Sequence, residues 1–230
     1  MQYQIKKNKH PKIVEPLSQD AVNALLNAPD IENTSGLKYA TIMVFLYTTA
    51  SRLDEMLSVK VGDLHLDNSL AHVRVIGKGR ICRTLFIHKK LNKYLAKYIF
   101  VHHGKNSDST AFLFFSKNKG LHSKLSEEGV NKQLKKIAVI ARKSCADVPL
   151  DLHSHQFRHS AATHAFENNM SVFQISKMLG HKSVTTTMTY LGFTSAIRED
   201  AVKKMEGYQL AEIEPIWKGK TSNIKEMFGL

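Results

Sequence analysis

Residues 152–168 read LHSHQFRHSAATHAFEN, and the spacing inside this stretch decides how the rest of the chain is read. His155, Arg158 and His159 fall at i, i+3 and i+4, so a helix over about 155–168 puts two imidazoles and a guanidinium on one face. An unpaired charge in an apolar interior is too costly to keep, so that face is expected to stay out of the core and to receive an anion. Downstream, Leu179-Gly180-His181 ends a further predicted helix, 172–179, with glycine at its C-cap. Nine residues beyond His181, Tyr190 follows the weak helix formers Thr185-Thr186-Thr187 in a predicted helix over 184–191. Upstream, Arg52 starts a short helical turn over 55–58, and Lys78 sits at the tip of the glycine-flanked turn Gly77-Lys78-Gly79.

Together these residue types suit phosphoryl transfer without a metal. Two arginines, Arg52 and Arg158, can grip both non-bridging oxygens of a phosphodiester and stabilise a pentacoordinate transition state. A tyrosine hydroxyl is a poor nucleophile at its ordinary pKa, so Tyr190 needs a base, His155, and local positive charge; the ester it forms can be attacked in reverse. A lysine on a turn, Lys78, with its pKa lowered by Arg80 and Arg83, can protonate a departing sugar hydroxyl.

Working outward, Ser18 reads as the N-cap of a helix stopped by Pro29, and residues 36–50 carry apolar positions broad enough for a buried helix. The period then changes to two, with strands expected over 64–66, 71–75 and 83–87. Helical patterning returns over 89–103 and 127–143, with a short aromatic strand at 112–115 between them, and a last helix is expected over 195–205. The fold expected is one mixed α+β domain, mostly helical, with a small antiparallel sheet at one edge. Residues 1–16 form a basic lead-in, 17–206 the domain, and 207–230 a tail holding Trp217 and a short amphipathic segment at 223–228.

The chain has 230 residues, 43% hydrophobic and 23% charged, with 33 Lys plus Arg against 20 Asp plus Glu, a net charge of +13. The composition is that of a folded protein, and the charge suggests a polyanionic partner. No Asp or Glu occurs over 68–107, which includes Arg80, Arg83, Lys89, Lys90 and Lys93, or over 129–146, which includes Lys132, Lys135 and Lys136. One-signed runs in patterned chain resemble a phosphate-tracking surface more than a salt-bridged solvated face. Two cysteines without metal-ligand spacing exclude a disulfide framework or zinc module and fit a reducing, cytoplasmic location beside the nucleoid. No signal peptide or membrane-spanning stretch is read, so no membrane partner is expected.

The order Arg, Lys, His-x-x-Arg, His, Tyr resembles the tyrosine recombinase (phage integrase) catalytic domain over about 17–201. The matching stretches are Thr49-Ala50-Ser51-Arg52 through Glu55, Gly77-Lys78-Gly79-Arg80 with Arg83, His155 through His164, and Leu179-Gly180-His181-Lys182-Ser183 through Tyr190. The resemblance implies strand cleavage of duplex DNA through a 3'-phosphotyrosyl intermediate, with no cofactor, ATP or divalent metal. It makes Arg52 and Arg158 the phosphate clamp, Lys78 the general acid, His155 the general base, His181 a further phosphate or nucleophile contact, Glu55 a support and His159 structural. DNA contacts fall to Arg80, Arg83, Lys89, Lys90, Lys93, Lys132, Lys135, Lys136 and Lys182. It also implies a homo-oligomer, a tetramer on two duplexes, with accessory DNA-bending proteins and a tail docking on a neighbouring protomer through Trp217 and Phe228. Ala50-Ser51 departs from the family's common Gly-Leu, and sixteen residues leave no room for its amino-terminal core-binding domain; a catalytic-domain fragment and a short invertase-like member both fit.

The competing readings are a type IB topoisomerase, a DNA-binding regulator that keeps only the basic surface, and a metal-dependent nuclease. His153, His155, His159 and His181 could in principle hold a metal, but no carboxylate accompanies them and Arg158 would repel a cation.

Overall fold

The computed structural model describes residues 15–66, 70–77, 79–118 and 121–191, all within one compact unit over residues 1–191. Lys78, the predicted helix over 195–205 and the tail with Trp217 and Phe228 lie outside the described residues.

Helix α1 (Gln19–Asn27) starts where the Ser18 hydroxyl accepts from the Ala21 amide at 3.1 Å. Helix α2 (Thr34–Thr49) is the centre of the core: Leu37, Ala40, Ile42, Met43, Val44, Phe45 and Leu46 are all buried. Its buried Thr41 and Thr49 are tolerated because each hydroxyl donates to a carbonyl one turn back, Leu37 and Phe45, at 2.7 Å. After the short helix α3 (Leu53–Leu57) come strands β1 (Leu64–His65), β2 (His72–Ile76) and β3 (Cys82–Phe86), an antiparallel sheet in sequence order. Val73 opposes Leu85 and Val75 opposes Arg83, so the buried face of the sheet is Val73, Val75 and Leu85 while Arg74, Ile76, Thr84 and Phe86 face out. The α+β expectation, mostly helical with a small antiparallel sheet, holds.

Helix α4 (Lys89–His102) buries Leu91, Leu95 and Tyr98 and packs on α2. The aromatic strand expected at 112–115 is not one: Phe112 makes an isolated bridge to Lys60, and Phe114, fully buried, meets Phe45 and Tyr98. The apolar run fills a gap in the core, and the strand β4 (Phe115–Asn118) only starts at its last residue, pairing with β5 (Leu121–Lys124). That hairpin carries polar residues, so hydrophobic alternation does not mark it.

Helix α5 (Glu127–Ala141) leads to α6 (Ser154–Glu167), α7 (Val172–Leu179) and α8 (Val184–Tyr190). The start of α6 is held by the Asn131 side chain, which accepts from the Ser154 amide at 2.9 Å, and Ser160 accepts from the Leu17 amide at 2.7 Å. Beside the main core, a second cluster of Ala50, Ala161, Ala162, Ile175 and Leu179 joins the end of α2 to α6 and α7, with Tyr190 and Leu191 packed on it. Among the described residues no helix is long and apolar enough to cross a membrane.

Candidate active site

The site stands on that second cluster, where the ends of α2 and α7 meet α6. Arg158 is 2% exposed, which corrects the expectation that its face stays out of the core. The burial is tolerable because the guanidinium is paired: Nη1 donates to the Ala50 carbonyl at 2.5 Å and Nη2 to the Leu179 carbonyl at 2.8 Å. Both carbonyls close helices whose last turns lack intrahelical partners and carry partial negative charge. Both helices also end in the left-handed conformation, Ala50 at φ 50° and Gly180 at φ 65°, which stops each helix where its carbonyl meets the one guanidinium. Burial, then the charge of Arg52, draws the Arg158 pKa down to about 10, which leaves it cationic at neutral pH.

Arg52 is the N-cap of α3, and its side chain is 44% exposed. Glu55, one turn on and buried, accepts from the Arg52 amide at 3.0 Å and from Arg52 Nη1 at 2.9 Å. The same carboxylate accepts from Arg83 Nη2 at 2.6 Å, and Arg83 Nη1 donates to the Met178 carbonyl at 2.8 Å. Burial pushes the Glu55 carboxyl up, but the Arg52 amide and the Arg83 and Arg52 guanidiniums together hold it below the ordinary value. Arg83, expected on DNA, is therefore a brace between β3, α3 and the end of α7. Its place opposite Val75 on the inner face of the sheet is the physical reason, and the alternation Arg83, Leu85, Ile87 is the signal that reveals it.

Tyr190 lies among three imidazoles, its ring centroid 5.9 Å from His155, 5.0 Å from His159 and 5.5 Å from His181, each edge-on. Its hydroxyl is buried, and the Arg158 guanidinium is the donor that faces it. Burial raises the phenol's pKa, while the charges of Arg158 and Arg52 work against the rise. His155 is solvent-accessible at the edge of the site; desolvation, then Arg158 and Arg52, lowers its pKa. His159 is buried beneath the tyrosine. His181 approaches Thr187 Oγ1 through Nδ1 at 2.9 Å and Arg158 Nη2 through Nε2 at 3.3 Å. Desolvation, then Arg158, Arg52 and Arg83, lowers it to about 4, so it is neutral at pH 7.

The guanidiniums of Arg52 and Arg83 thus share the Glu55 carboxylate while Arg158 rests on carbonyls, and the surplus positive charge borders a tyrosine ringed by imidazoles. Such an arrangement attracts an anion and can neutralise charge that develops on it. Among the described residues no three His, Cys, Asp or Glu side chains gather as they would around a metal ion. Of the cations expected on DNA, Arg80, Lys89, Lys90, Lys93, Lys132, Lys136 and Lys182 are exposed, and Lys135 pairs with Asp151 at 2.6 Å. The carbonyls of Ala50 and Leu179 and the Thr187 hydroxyl complete the site. Backbone groups leave no mark in a sequence, and Thr187 is indistinguishable there from its two threonine neighbours.

The profile of the phage integrase family matches residues 15–195. The chain is 30% identical over 197 residues to the tyrosine recombinase XerD of Staphylococcus epidermidis, covering 84% of this chain and 62% of that protein. The corresponding XerD of Staphylococcus aureus is 29% identical over the same length. The chain thus spans 62% of the length of these curated relatives. Among solved structures, XerA recombinase superposes with a TM-score of 0.66 at 20% identity, covering 89% of this chain and 68% of that one. XerH site-specific recombinase, in a post-cleavage complex with palindromic difH substrate, gives 0.66 at 22% identity, covering 85% and 54%. The Tn1549 transposon integrase in complex with a circular intermediate DNA gives 0.65 at 19% identity, covering 88% and 68%. With that profile running from the start of α1 through Tyr190 and so enclosing every element of the site, the chain belongs to the phage integrase family.

Proposed function

We propose that this chain supplies the catalytic part of a site-specific DNA recombinase that cleaves and rejoins duplex DNA through a 3'-phosphotyrosyl intermediate. The observation that carries the reading is the convergence of Arg52 and Arg158 beside a tyrosine enclosed by His155, His159 and His181. In the proposed step Tyr190 Oη attacks phosphorus and His155 takes the phenolic proton; an O–P bond to tyrosine forms as the bond to the 5'-oxygen breaks. Lys78 gives its proton to that leaving oxygen. Arg52 and Arg158 balance the charge on the non-bridging oxygens, which leaves no role for a divalent metal. Glu55 holds Arg52 in place, and His181 acts through Arg158. Attack by a partner strand's 5'-hydroxyl reverses the step, and energy is conserved in the ester, so no ATP is needed.

XerD, XerH and the Tn1549 integrase support the same reading by likeness, as do the DNA complexes of the latter two. It assigns residues 17–206 to the catalytic domain and 207–230 to a tail that docks on a neighbouring protomer, with a tetramer on two duplexes as the working assembly. The test is covalent capture. The protein is incubated in EDTA with nicked suicide duplexes drawn from DNA flanking its gene, and a denaturation-resistant adduct is sought. An adduct lost in Tyr190→Phe is the expected result; an adduct that persists in that variant, or one that requires a divalent metal, overturns the assignment.

A further inference from the structure

We propose that Thr187 is a positioning residue that, together with Arg158, fixes which nitrogen of His181 carries the proton, and so keeps His181 Nε2 an acceptor toward the Arg158 guanidinium. The assignment follows from donor chemistry. A guanidinium has only N–H donors, so the imidazole nitrogen facing it at 3.3 Å, Nε2, must be the unprotonated one. Were the proton on Nε2, two N–H groups would point at each other. In the neutral ring the proton is then on Nδ1, and it is donated to Thr187 Oγ1 at 2.9 Å. His181 is held neutral by its desolvation and by the guanidiniums around it.

The structure separates Thr187 from the other threonines of its run. Thr185 and Thr186 are exposed, whereas Thr187 is fully buried, so bulk water does not compete for the imidazole proton. Thr187 also stands three residues before Tyr190, on the same side of α8. The hydrogen-bond chain Thr187, His181, Arg158 therefore links the helix that bears the tyrosine to the guanidinium that spans the ends of α2 and α7. Without the hydroxyl, the ring can take the Nε2–H form and lose its acceptor toward Arg158. The part of this inference that concerns rate rests on the recombinase reading above; the part that concerns the proton does not.

The experiment is nitrogen-15 NMR of the histidine side chains at pH 7 in the full chain, comparing wild type, Thr187→Val and Thr187→Ser, with His181→Gln to assign the signal. The expected result is a pyrrole-type Nδ1 in wild type and in Thr187→Ser, and a shift toward pyridine-type Nδ1 in Thr187→Val. Adduct formation on the suicide duplex should fall about tenfold or more in Thr187→Val and recover in Thr187→Ser. Wild-type protein with its proton on Nε2 overturns the proposal even if the valine variant fails to fold, as does a valine variant whose Nδ1 stays pyrrole-type. The expected NMR pattern with no adduct from any of the proteins supports the tautomer assignment and counts against the recombinase reading alone.

Discussion

Arg158 holds its place through geometry that a point charge cannot copy. Its two terminal nitrogens reach carbonyls from different helices, so Arg158→Lys keeps the charge but abandons one buried acceptor, at a cost of about 1–3 kcal/mol in urea denaturation. Arg83→Met carries a different expectation. It removes one of the two guanidinium partners of a buried carboxylate and should cost roughly 2 kcal/mol, yet leave the salt dependence of DNA binding unchanged, because Arg83 faces Glu55 and the Met178 carbonyl. A shallower salt slope in that variant would return Arg83 to the DNA surface. Stability should also fall with acid in a definite window. The His181 pKa drops from its ordinary 6.5 to about 4 in the folded chain, and that of His155 also drops. Between those values the unfolded chain binds protons that the folded chain refuses, so unfolding free energy rises with pH there and is lost from about pH 6.5 downward. Glu55, whose folded pKa is also lowered, adds a further loss at more acidic pH, below its ordinary value of 4.5. Denaturation midpoints between pH 7 and 5 should decline in wild type and decline less in His181→Gln. At this scale the motif residues were legible because their spacing is chemical. The inward pairing of Arg83 was not legible, because its run of basic neighbours masked a strand register that turns it toward Glu55.

Element ends decide where the site's groups stand, and Ala50 shows the cost. A non-glycine residue at φ 50° pays about 1–2 kcal/mol for a left-handed conformation that the family's common glycine adopts freely. Its methyl is fully buried beside Ala161, Ala162, Ile175 and Leu179, which offsets part of that. Ala50→Gly should therefore shift stability by less than about 1 kcal/mol, the relieved strain and the lost packing opposing each other. Ala50→Val, β-branched in the left-handed region, should lose at least about 2 kcal/mol by thermal or urea unfolding. Gly180 has no such latitude: it stands at φ 65°, and a Cβ there would lie 2.7 Å from Arg83 Nη1. Helix starts were legible in the sequence because Ser18 and the first turn of α5 carry their capping chemistry openly. The β4–β5 hairpin was not, since polar strands on a solvated face leave no hydrophobic alternation, and the aromatics at 112–115 are buried for packing rather than for pairing.

Over the whole molecule, the acid-free runs overstate the free positive charge, because folding brings carboxylates from elsewhere in the chain to several of their cations. Arg83 is met by Glu55, Lys97 by Glu32 at 2.9 Å and Lys135 by Asp151 at 2.6 Å. No count along the sequence can foresee such pairing, which depends on segments 28 and 65 residues apart for the first two. What stays uncompensated among the described ion pairs includes Lys89, Lys90 and Lys93, all exposed on α4, whose opposite face buries Leu91, Leu95 and Tyr98. On the proposed function these three lysines track phosphates, and each engaged phosphate contributes about −0.9 to the slope of log K against log salt. Replacing all three with glutamine should therefore flatten that slope by up to about 2.7 on a non-cognate duplex, measured by fluorescence anisotropy across a salt series. Folding stability should change by no more than about 1 kcal/mol, since none of the three packs into the core. A slope equal to that of wild type would make this face of α4 merely solvated and shift the electrostatic footprint to Lys132 and Lys136 of α5, which the parallel double substitution would then reveal.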